Sequence, residues 1–184
     1  VISTTGSTSQ IDKQKAAMTR LLDSLQVNNM NAINFQVRSR CDAMYKSSYE
    51  PWSSDLVSSR GMDPGWDPLE WVVEECHKRG MECHAWVNPY RYESQIGQWT
   101  LETDYRKTHP EWLLDVGDAS ILNPGLPEVT EQIVKVIREI VQNYDIDGVL
   151  FDDYFYLQGT PTDSSGDGDL YDAYVEAGGK MSHG

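Results

Sequence analysis

The connections between helical and extended segments differ greatly in length along this chain, and this difference constrains the fold most. In chain order, the sequence predicts helix 9–28, strand 32–38, helix 67–79, strand 82–88, helix 127–144 and a strand that begins at Gly148. Each helix is followed by a strand after only a few residues, whereas the segments from strand to helix are long and rich in Trp, Tyr, Arg and Asp. Alternating helices and strands imply a parallel sheet. Short turns at one end and elaborate loops at the other are typical of a (β/α) barrel, whose function lies on the loop side.

The strand sequences favour a barrel over an open, doubly wound sheet. In the first strand, Ile33 and Phe35 alternate with Asn34 and Gln36, whereas strands buried on both faces are continuous apolar runs. An apolar face suits the surrounding helices, and a polar face suits a barrel lumen near its working end. A closed barrel takes about 250 residues. We therefore expect one domain, residues 1–184, that is about the first half of a (β/α)8 TIM barrel, with strands 2 to 4 clear and strand 1 unclear.

The segment from Gly148 to Tyr156 carries the chemistry that the sequence shows most plainly. Its apolar run is too short for a helix and follows Asp147, which predicts a buried strand. The run ends in Asp152 and Asp153, and the aromatic rings of Tyr154 and Tyr156 follow. Ligands of α/β proteins bind at the carboxyl edge of the sheet. A carboxylate there can transfer a proton or act as a nucleophile, and tyrosine rings can stack on the faces of a sugar.

The two adjacent carboxylates are not expected to form a catalytic pair with each other. Glycoside hydrolysis uses two carboxyl groups about 5 Å apart for retention or about 6.5–9.5 Å apart for inversion. Neighbouring side chains of a strand point to opposite faces. Asp152 shares the lumen face with Leu150 and is the predicted catalytic carboxylate, while Asp153 is the second candidate or orients the first. The alternative is that both cap the strand end or pair with Arg38 and Arg91.

Polar side chains end the two earlier strands as well. Arg38, Asn88 and Arg91 are predicted to contact the substrate. Arg38 can hold a carboxylate with two hydrogen bonds and so fix Asp152, although a structural ion pair across the barrel mouth remains an equal alternative. Asn88 suits recognition of a sugar hydroxyl. His84 lies on the lumen face, where a hydrogen-bonded core histidine is more common than an acid or base.

Loop residues and aromatic rings complete the predicted binding surface. Asp42 and Tyr45 lie in the first long loop and are candidates to line a cleft, with a solvated loop as the alternative. Among the aromatic residues, Trp86 and Tyr90 stand at a strand end and are the preferred sugar contacts. The aspartates at 163, 167 and 169 do not have the spacing of an EF-hand loop, which favours a mobile polar loop. His77, Cys83 and His84 lack zinc spacing, so we predict no metal and no cofactor.

Composition excludes several classes of partner. The chain has 15 basic and 29 acidic residues, a net charge of -14, which argues against nucleic acid and anionic membrane surfaces. No apolar stretch reaches the length of a transmembrane helix, and the chain begins at Val1 without a signal peptide. The three cysteines, an odd number without a CxxC motif, are expected to be buried free thiols.

Ordered motifs along nearly the whole chain resemble the glycosyl-hydrolase-like-10 family, formerly a domain of unknown function. They are Phe35-Gln36-Val37-Arg38, Asp42-Ala43-Met44-Tyr45, Glu50-Pro51-Trp52-Ser53, Asp67-Pro68-Leu69, His84 to Arg91, His109 to Leu113, Leu122-Asn123-Pro124-Gly125 and Phe151 to Tyr156. The resemblance implies a TIM-barrel glycoside hydrolase, exported or lipid-anchored in bacteria, that acts on cell-envelope glycans such as peptidoglycan strands. It adds Asn123 as a candidate substrate contact. The later strands of the family are absent, so a second catalytic carboxylate cannot be assigned.

Three functions remain open at this point. The leading hypothesis is a glycosidase that acts on a polysaccharide through Asp152, although the 184-residue chain alone is expected to be inactive. The second is a carbohydrate-binding protein without turnover. The third is a metal-dependent hydrolase, such as a deacetylase, with Asp152 and His84 as ligands. We also expect self-association through the strand edge exposed after Phe151.

Overall fold

The computed structural model describes residues 8–152, 155–164 and 166–182. In chain order the elements are α1 (Thr8–Val27), β1 (Ala32–Arg38), α2 (Pro68–Lys78), β2 (Glu82–Val87), β3 (Arg91–Glu93), α3 (Tyr105–Thr108), a 3-10 turn (Pro110–Trp112), β4 (Leu113–Val116), β5 (Ala119–Leu122), α4 (Pro127–Asn143), β6 (Gly148–Phe151) and α5 (Gly168–Glu176). They fall into two compact units. Unit 1 comprises Val1–Pro89 with Lys135–Asp152, and unit 2 comprises Tyr90–Val134 with Asp153–Gly184.

The parallel sheet predicted from the alternating pattern is present in unit 1. Its strand order is β1-β2-β6, and both pairings are parallel. Cys83 and Ala85 of β2 are fully buried in a core cluster that also contains residues of α1, α2 and α4. His84 and Trp86, between them, are only partly buried. One face of the sheet therefore packs on helices and the other does not, as expected for part of a (β/α) barrel.

The ends of α2 follow from local sequence chemistry. Asp67 is the N-cap, and its carboxylate accepts hydrogen bonds from the N–H groups of Leu69 and Glu70. At the other end, Gly80 has a φ of 68°, and its N–H donates to the carbonyl of His77. The N–H of Met81 donates to Cys76, which completes a Schellman motif. These bonds confirm the predicted start and stop of this helix.

The prediction that the last strand is buried is wrong. Val149, Leu150 and Phe151 are 38%, 36% and 51% exposed. Among the described residues, β6 stands at the end of the sheet and pairs only with β2. A strand at the end of a sheet has a neighbouring strand on one side only, so its side chains stay more accessible than those of a central strand.

Unit 2 contains a second sheet within the segment between strand 82–88 and helix 127–144, for which the sequence predicts only a long loop. The strand order is β3-β5-β4 and the pairings are antiparallel. β4 and β5 form a hairpin in which Val116 pairs with Ala119 across Gly117 and Asp118. Gly117 has a φ of 61°, as the first central residue of a type II′ turn requires. Glycine adopts this left-handed conformation without the steric penalty of a side chain.

An arginine fixes the second sheet from the side. The guanidinium of Arg106 lies 2.7 Å from the Oε2 of Glu93 on β3 and 2.7 Å from the Oδ1 of Asp115 on β4. It also donates to the Oγ of Ser120 on β5. One side chain thus joins the three strands, and Glu93, which is 1% exposed, keeps a charged partner.

Candidate active site

Asp152 follows directly after β6, at the carboxyl edge of the parallel sheet. Its N–H donates to the carbonyl of Val87, 3.2 Å away, so Asp152 lies beside the end of β2. Leu150 pairs with Trp86 on the face of the sheet that does not pack on the helices. Because alternate residues share a face, Asp152 belongs to that same face. It is exposed, which is the placement that the sequence predicts for a lumen carboxylate.

Asn88 connects the ends of β1 and β2. Its backbone N–H donates to the carbonyl of Arg38, and its Nδ2 donates to the carbonyl of Ser39, 3.3 Å away. Its Oδ1 accepts a hydrogen bond from the indole nitrogen of Trp86 at 2.9 Å. The amide therefore orients the partly exposed Trp86 ring at the sheet edge. Direct contact of Asn88 with a sugar hydroxyl stays a prediction.

Arg38 is completely buried and holds together the segments that form this edge. Its Nη1 donates to the carbonyls of Asn88 and Pro89 at 2.7 and 2.9 Å. Its Nε and Nη2 donate to Oε1 of Glu50, and Nη2 also contacts the Sγ of Cys41. These five contacts match the five N–H groups of a guanidinium. The ion pair that was the structural alternative is therefore present, with Glu50 as the partner, and a hold of Arg38 on Asp152 stays a prediction.

Glu50 is the residue of this network that sequence reasoning missed. It is 5% exposed and pairs with Arg38 at 2.8 Å across the first long loop. Glu50 belongs to the Glu50–Ser53 motif, one of those that resemble the family. That motif is the signal in the sequence by which Glu50 could have been found. The spacing of Glu50 and Arg38 in the sequence does not show that the loop returns to the strand end.

Asp42 and Tyr45 lie beneath the surface of the first loop. Oδ1 of Asp42 accepts from the N–H groups of Ser39 and Arg40, and Oδ2 accepts from the Oγ of Ser53 at 2.7 Å. Tyr45 is fully buried and makes an edge-to-face contact with Tyr144 at 5.6 Å between ring centroids. Burial raises the pKa of Tyr45 above its ordinary value. Neither residue belongs to a solvated loop, and a role in sugar contact stays a prediction.

His84 lies on the predicted face but pairs within its own strand. Its Nε2 is 2.9 Å from Oε2 of Glu82. A Cβ on Gly148 would come 3.2 Å from the Nδ1 of His84, so the imidazole lies against the backbone of β6. This favours the hydrogen-bonded alternative over a free acid or base.

In unit 2, three predicted substrate residues cluster at one end of the antiparallel sheet. The carbonyl of Tyr90 accepts a hydrogen bond from the N–H of Leu122, and Arg91 pairs with Ile121 in β5. Asn123, 6% exposed, follows β5, and its Oδ1 accepts from the N–H of Gly125 at 2.9 Å. The Tyr90 ring packs edge to face on Phe155 at 5.9 Å. Asn123 thus shapes a turn here, and the predicted sugar contacts of all three stay predictions.

Tyr156 borders a cavity of about 680 Å³ in unit 2. The cavity is also lined by Asp167 and by Tyr171 and Tyr174 of α5. Burial and a hydrogen bond to the Asp167 carboxylate raise the pKa of Tyr156 to about 12. The sequence predicts Tyr156 as a substrate contact but does not predict the other residues of the cavity wall. The path of the loop after residue 156 cannot be read from the sequence. Asp153 and Tyr154 lie outside the described residues.

The parts of the chain that the structure describes show neither a metal cluster nor a membrane span. No three His, Cys, Asp or Glu side chains come together there in a way that could hold an ion. None of the described helices is both long and apolar enough to cross a bilayer. Cys41, Cys76 and Cys83 are buried free thiols, which confirms the expectation from the sequence.

Comparison with known proteins identifies the family. Residues 3–182 match the family described as glycosyl hydrolase-like 10. This chain belongs to that family. It is 44% identical over 149 residues to glycosyl hydrolase YngK of Bacillus subtilis (strain 168), covering 79% of this chain and 29% of the relative. It is 37% identical over 177 residues to glycosyl hydrolase DigH of Escherichia coli (strain K12), covering 91% of this chain and 40% of the relative. The chain thus spans less than half the length of these glycosyl hydrolases.

Solved structures support the fold of this glycosyl hydrolase-like 10 chain. A hypothetical protein from Ruminiclostridium thermocellum matches with a TM-score of 0.57 at 12% identity, covering 94% of this chain and 85% of that one. The GH36 alpha-galactosidase AgaA from Geobacillus stearothermophilus matches with a TM-score of 0.53 at 13% identity, covering 79% of this chain and 20% of that one. At such low identity the likeness shows the fold alone. It confirms the prediction of a partial TIM barrel.

Proposed function

We propose that this chain supplies the catalytic carboxylate Asp152 to a glycosidase that cleaves a polysaccharide, with a bacterial cell-envelope glycan as substrate. The observation that carries the proposal is the position of Asp152. It is exposed at the carboxyl edge of the parallel sheet, on the face away from the helices, beside the end of β2. Active sites of (β/α) barrels form at this edge. Membership in a glycosyl hydrolase-like family supports the reaction class.

The rest of the edge fits a sugar substrate. Trp86 presents a partly exposed indole that Asn88 holds in place. Aromatic rings bury a large area with little loss of rotamer entropy, so they suit the apolar face of a pyranose. Asp152 would act there as the nucleophile or as the general acid or base, opposite a second carboxyl group. Action on an envelope glycan places the protein outside the cytoplasm or in the cell envelope, which is part of the proposal.

A second candidate function is sugar binding without turnover. Two buried carboxylates of the first long loop are already engaged in other contacts. Glu50 pairs with Arg38, and Asp42 is bonded to two backbone N–H groups and to Ser53; they are 5% and 1% exposed. A site with one reactive carboxyl group can hold a glycan but lacks half of the usual catalytic pair.

Turnover of purified cell-wall glycan strands by the intact protein tests the proposal. Asp152→Asn keeps the size of the side chain but removes its charge and basicity. We expect the rate to fall by at least about 100-fold, since proton transfer by a positioned side chain contributes about 10²–10⁴-fold. Loss of turnover with retained glycan binding would separate catalysis from binding.

Asp145→Asn is the matched control. Asp145 precedes β6 at the opposite end of the strand, and its side chain is 96% exposed. The same substitution there should leave turnover unchanged. Wild-type turnover by the Asp152→Asn protein would refute the assignment. Binding without any turnover by the wild-type protein would favour the second candidate function.

A further inference from the structure

We infer that the cavity of unit 2 is a binding subsite for neutral sugar residues of the glycan. The inference rests on the proposed function. It assigns sugar binding to residues of unit 2 that have no role in that proposal. The cavity measures about 680 Å³, within the range of about 300–1,000 Å³ that is usual for small-molecule sites. It is formed mainly by residues 156–162 and by α5.

The walls combine aromatic rings with hydrogen-bonding groups. Tyr156, Tyr171 and Tyr174 line the cavity, and the last two rings lie 6.2 Å apart at an angle of 36°. Gln158 and Thr162 also line it and are exposed. A pyranose presents both apolar C–H faces and hydroxyl groups. Rings that pack on the faces and amides that bond the hydroxyls form a matching surface.

Two of the three rings are fixed before any ligand binds. The Oη of Tyr171 donates to the carbonyl of Met181 at 3.1 Å. The Oη of Tyr174 accepts from the N–H groups of Lys180 and Met181, each at 3.2 Å. Side chains that are already held lose less conformational entropy when a ligand binds, so preorganised rings raise affinity.

Charge favours a neutral ligand over an anionic one. The carboxylate of Asp167 stands in the cavity wall and is hydrogen-bonded to Tyr156. Among the described residues that line the cavity there is no Lys or Arg. An anion entering this site would meet the like charge of Asp167, in a chain whose net charge is already -14. A neutral N-acetylhexosamine residue avoids that cost.

Isothermal titration of the intact protein with the neutral tetramer of β-1,4-linked N-acetylglucosamine tests the subsite. Tyr171→Leu removes the ring, and Gln158→Ala removes an exposed amide for which the described residues show no hydrogen bond. Each should weaken binding by about five- to tenfold, as expected when a central contact is truncated. Tyr171→Phe loses the hydrogen bond to Met181 but keeps the ring, so its affinity should stay within about twofold of wild type. If Tyr171 acted only through its hydrogen bond to Met181, Tyr171→Phe and Tyr171→Leu would weaken binding equally.

Tyr49→Leu is the control, because Tyr49 is 48% exposed in unit 1 and should not affect binding. Wild-type affinity in both Tyr171→Leu and Gln158→Ala would overturn the inference, as would a folded wild-type protein that does not bind the tetramer. The proposed function is judged separately. Asp152→Asn should retain binding of the tetramer while turnover of glycan strands is lost, so either claim can fail without the other.

Discussion

Arg38 and Glu50 show how single residues determine the shape of the candidate site. Arg38 is fully buried, and it joins the end of β1 to the backbone of Asn88 and Pro89. Glu50 neutralises it from the first long loop. Both side chains of the pair are buried beneath the sheet edge. We therefore regard Arg38 as a positioning residue for Asn88, and through Asn88 for the ring of Trp86.

Breaking this ion pair should strongly destabilise the protein. Arg38→Met leaves the Glu50 carboxylate buried without its cation, and we expect the free energy of unfolding to fall by about 3–5 kcal/mol. Urea denaturation measures this free energy of unfolding. Adding Glu50→Leu to Arg38→Met should restore a large part of the loss, because the buried charge is removed as well. Lys107→Met, which breaks an exposed pair with Glu102, is the control and should have little effect. Equal stability of Arg38→Met and wild type would contradict a structural role for the pair.

His77 and Asp147 should make stability depend on pH. Nε2 of His77 is 2.9 Å from the Asp147 carboxylate, and this hydrogen bond raises the pKa of His77. The N–H of Cys83, and then His77, lower the pKa of Asp147. The histidine contribution is present below its unfolded pKa of about 6.5 and is lost as pH rises through its higher folded pKa. The aspartate contribution is present above its unfolded pKa of about 3.9 and is lost as pH falls through its lower folded pKa.

The test compares wild type with His77→Gln by urea denaturation at two pH values. The stability difference between the two proteins should be larger at about pH 5.5 than at about pH 8.5, because the histidine contribution is lost as pH rises through the raised pKa of folded His77. A difference that is constant with pH would show that the pair does not titrate as described. Both side chains are about a third exposed, so solvent weakens the effect.

At the scale of elements, the β4–β5 hairpin depends on one turn. Gly117 has a φ of 61°, and a Cβ there would have open space around it. Any cost of substitution is therefore conformational and not a clash. Gly117→Ala should lower the free energy of unfolding by about 1–2 kcal/mol. Gly117→Asn should cost less, since asparagine tolerates the left-handed region. Thermal or urea unfolding measures both, and equal stability of the alanine and glycine proteins would contradict the turn assignment.

Regular elements were predictable from the sequence where a local signal existed. Asp67 with Pro68, and Gly80 at the other end, mark α2 because caps and left-handed glycines act over a few residues. The β4–β5 hairpin also has such a signal, Gly117-Asp118 between two apolar runs, but the length of the segment favours a loop and so obscures it. The family motif contains Glu50, but no local pattern shows that Glu50 pairs with Arg38 or which residues surround Tyr156, because contacts made by folded loops are not encoded in spacing.

At the scale of the whole molecule, the exposed strand β6 bears on solution behaviour. Phe151 is 51% exposed, and β6 pairs on one side with β2 among the described residues. Sedimentation of the 184-residue chain should show reversible self-association. The association should strengthen with salt, which screens the net charge of -14. Phe151→Lys should reduce it. A monomer at high concentration and high salt would contradict this prediction.

The most direct test of the central claim is a crystal structure of the intact protein carrying Asp152→Asn with an uncleaved glycan oligosaccharide. The substitution blocks the proposed chemistry and keeps the size of the side chain, so the bound state can be observed. We predict that the side chain at position 152 lies about 3 Å from the glycosidic oxygen or the anomeric carbon of one sugar. An oligosaccharide bound elsewhere, with that side chain in contact with no sugar, would contradict the assignment.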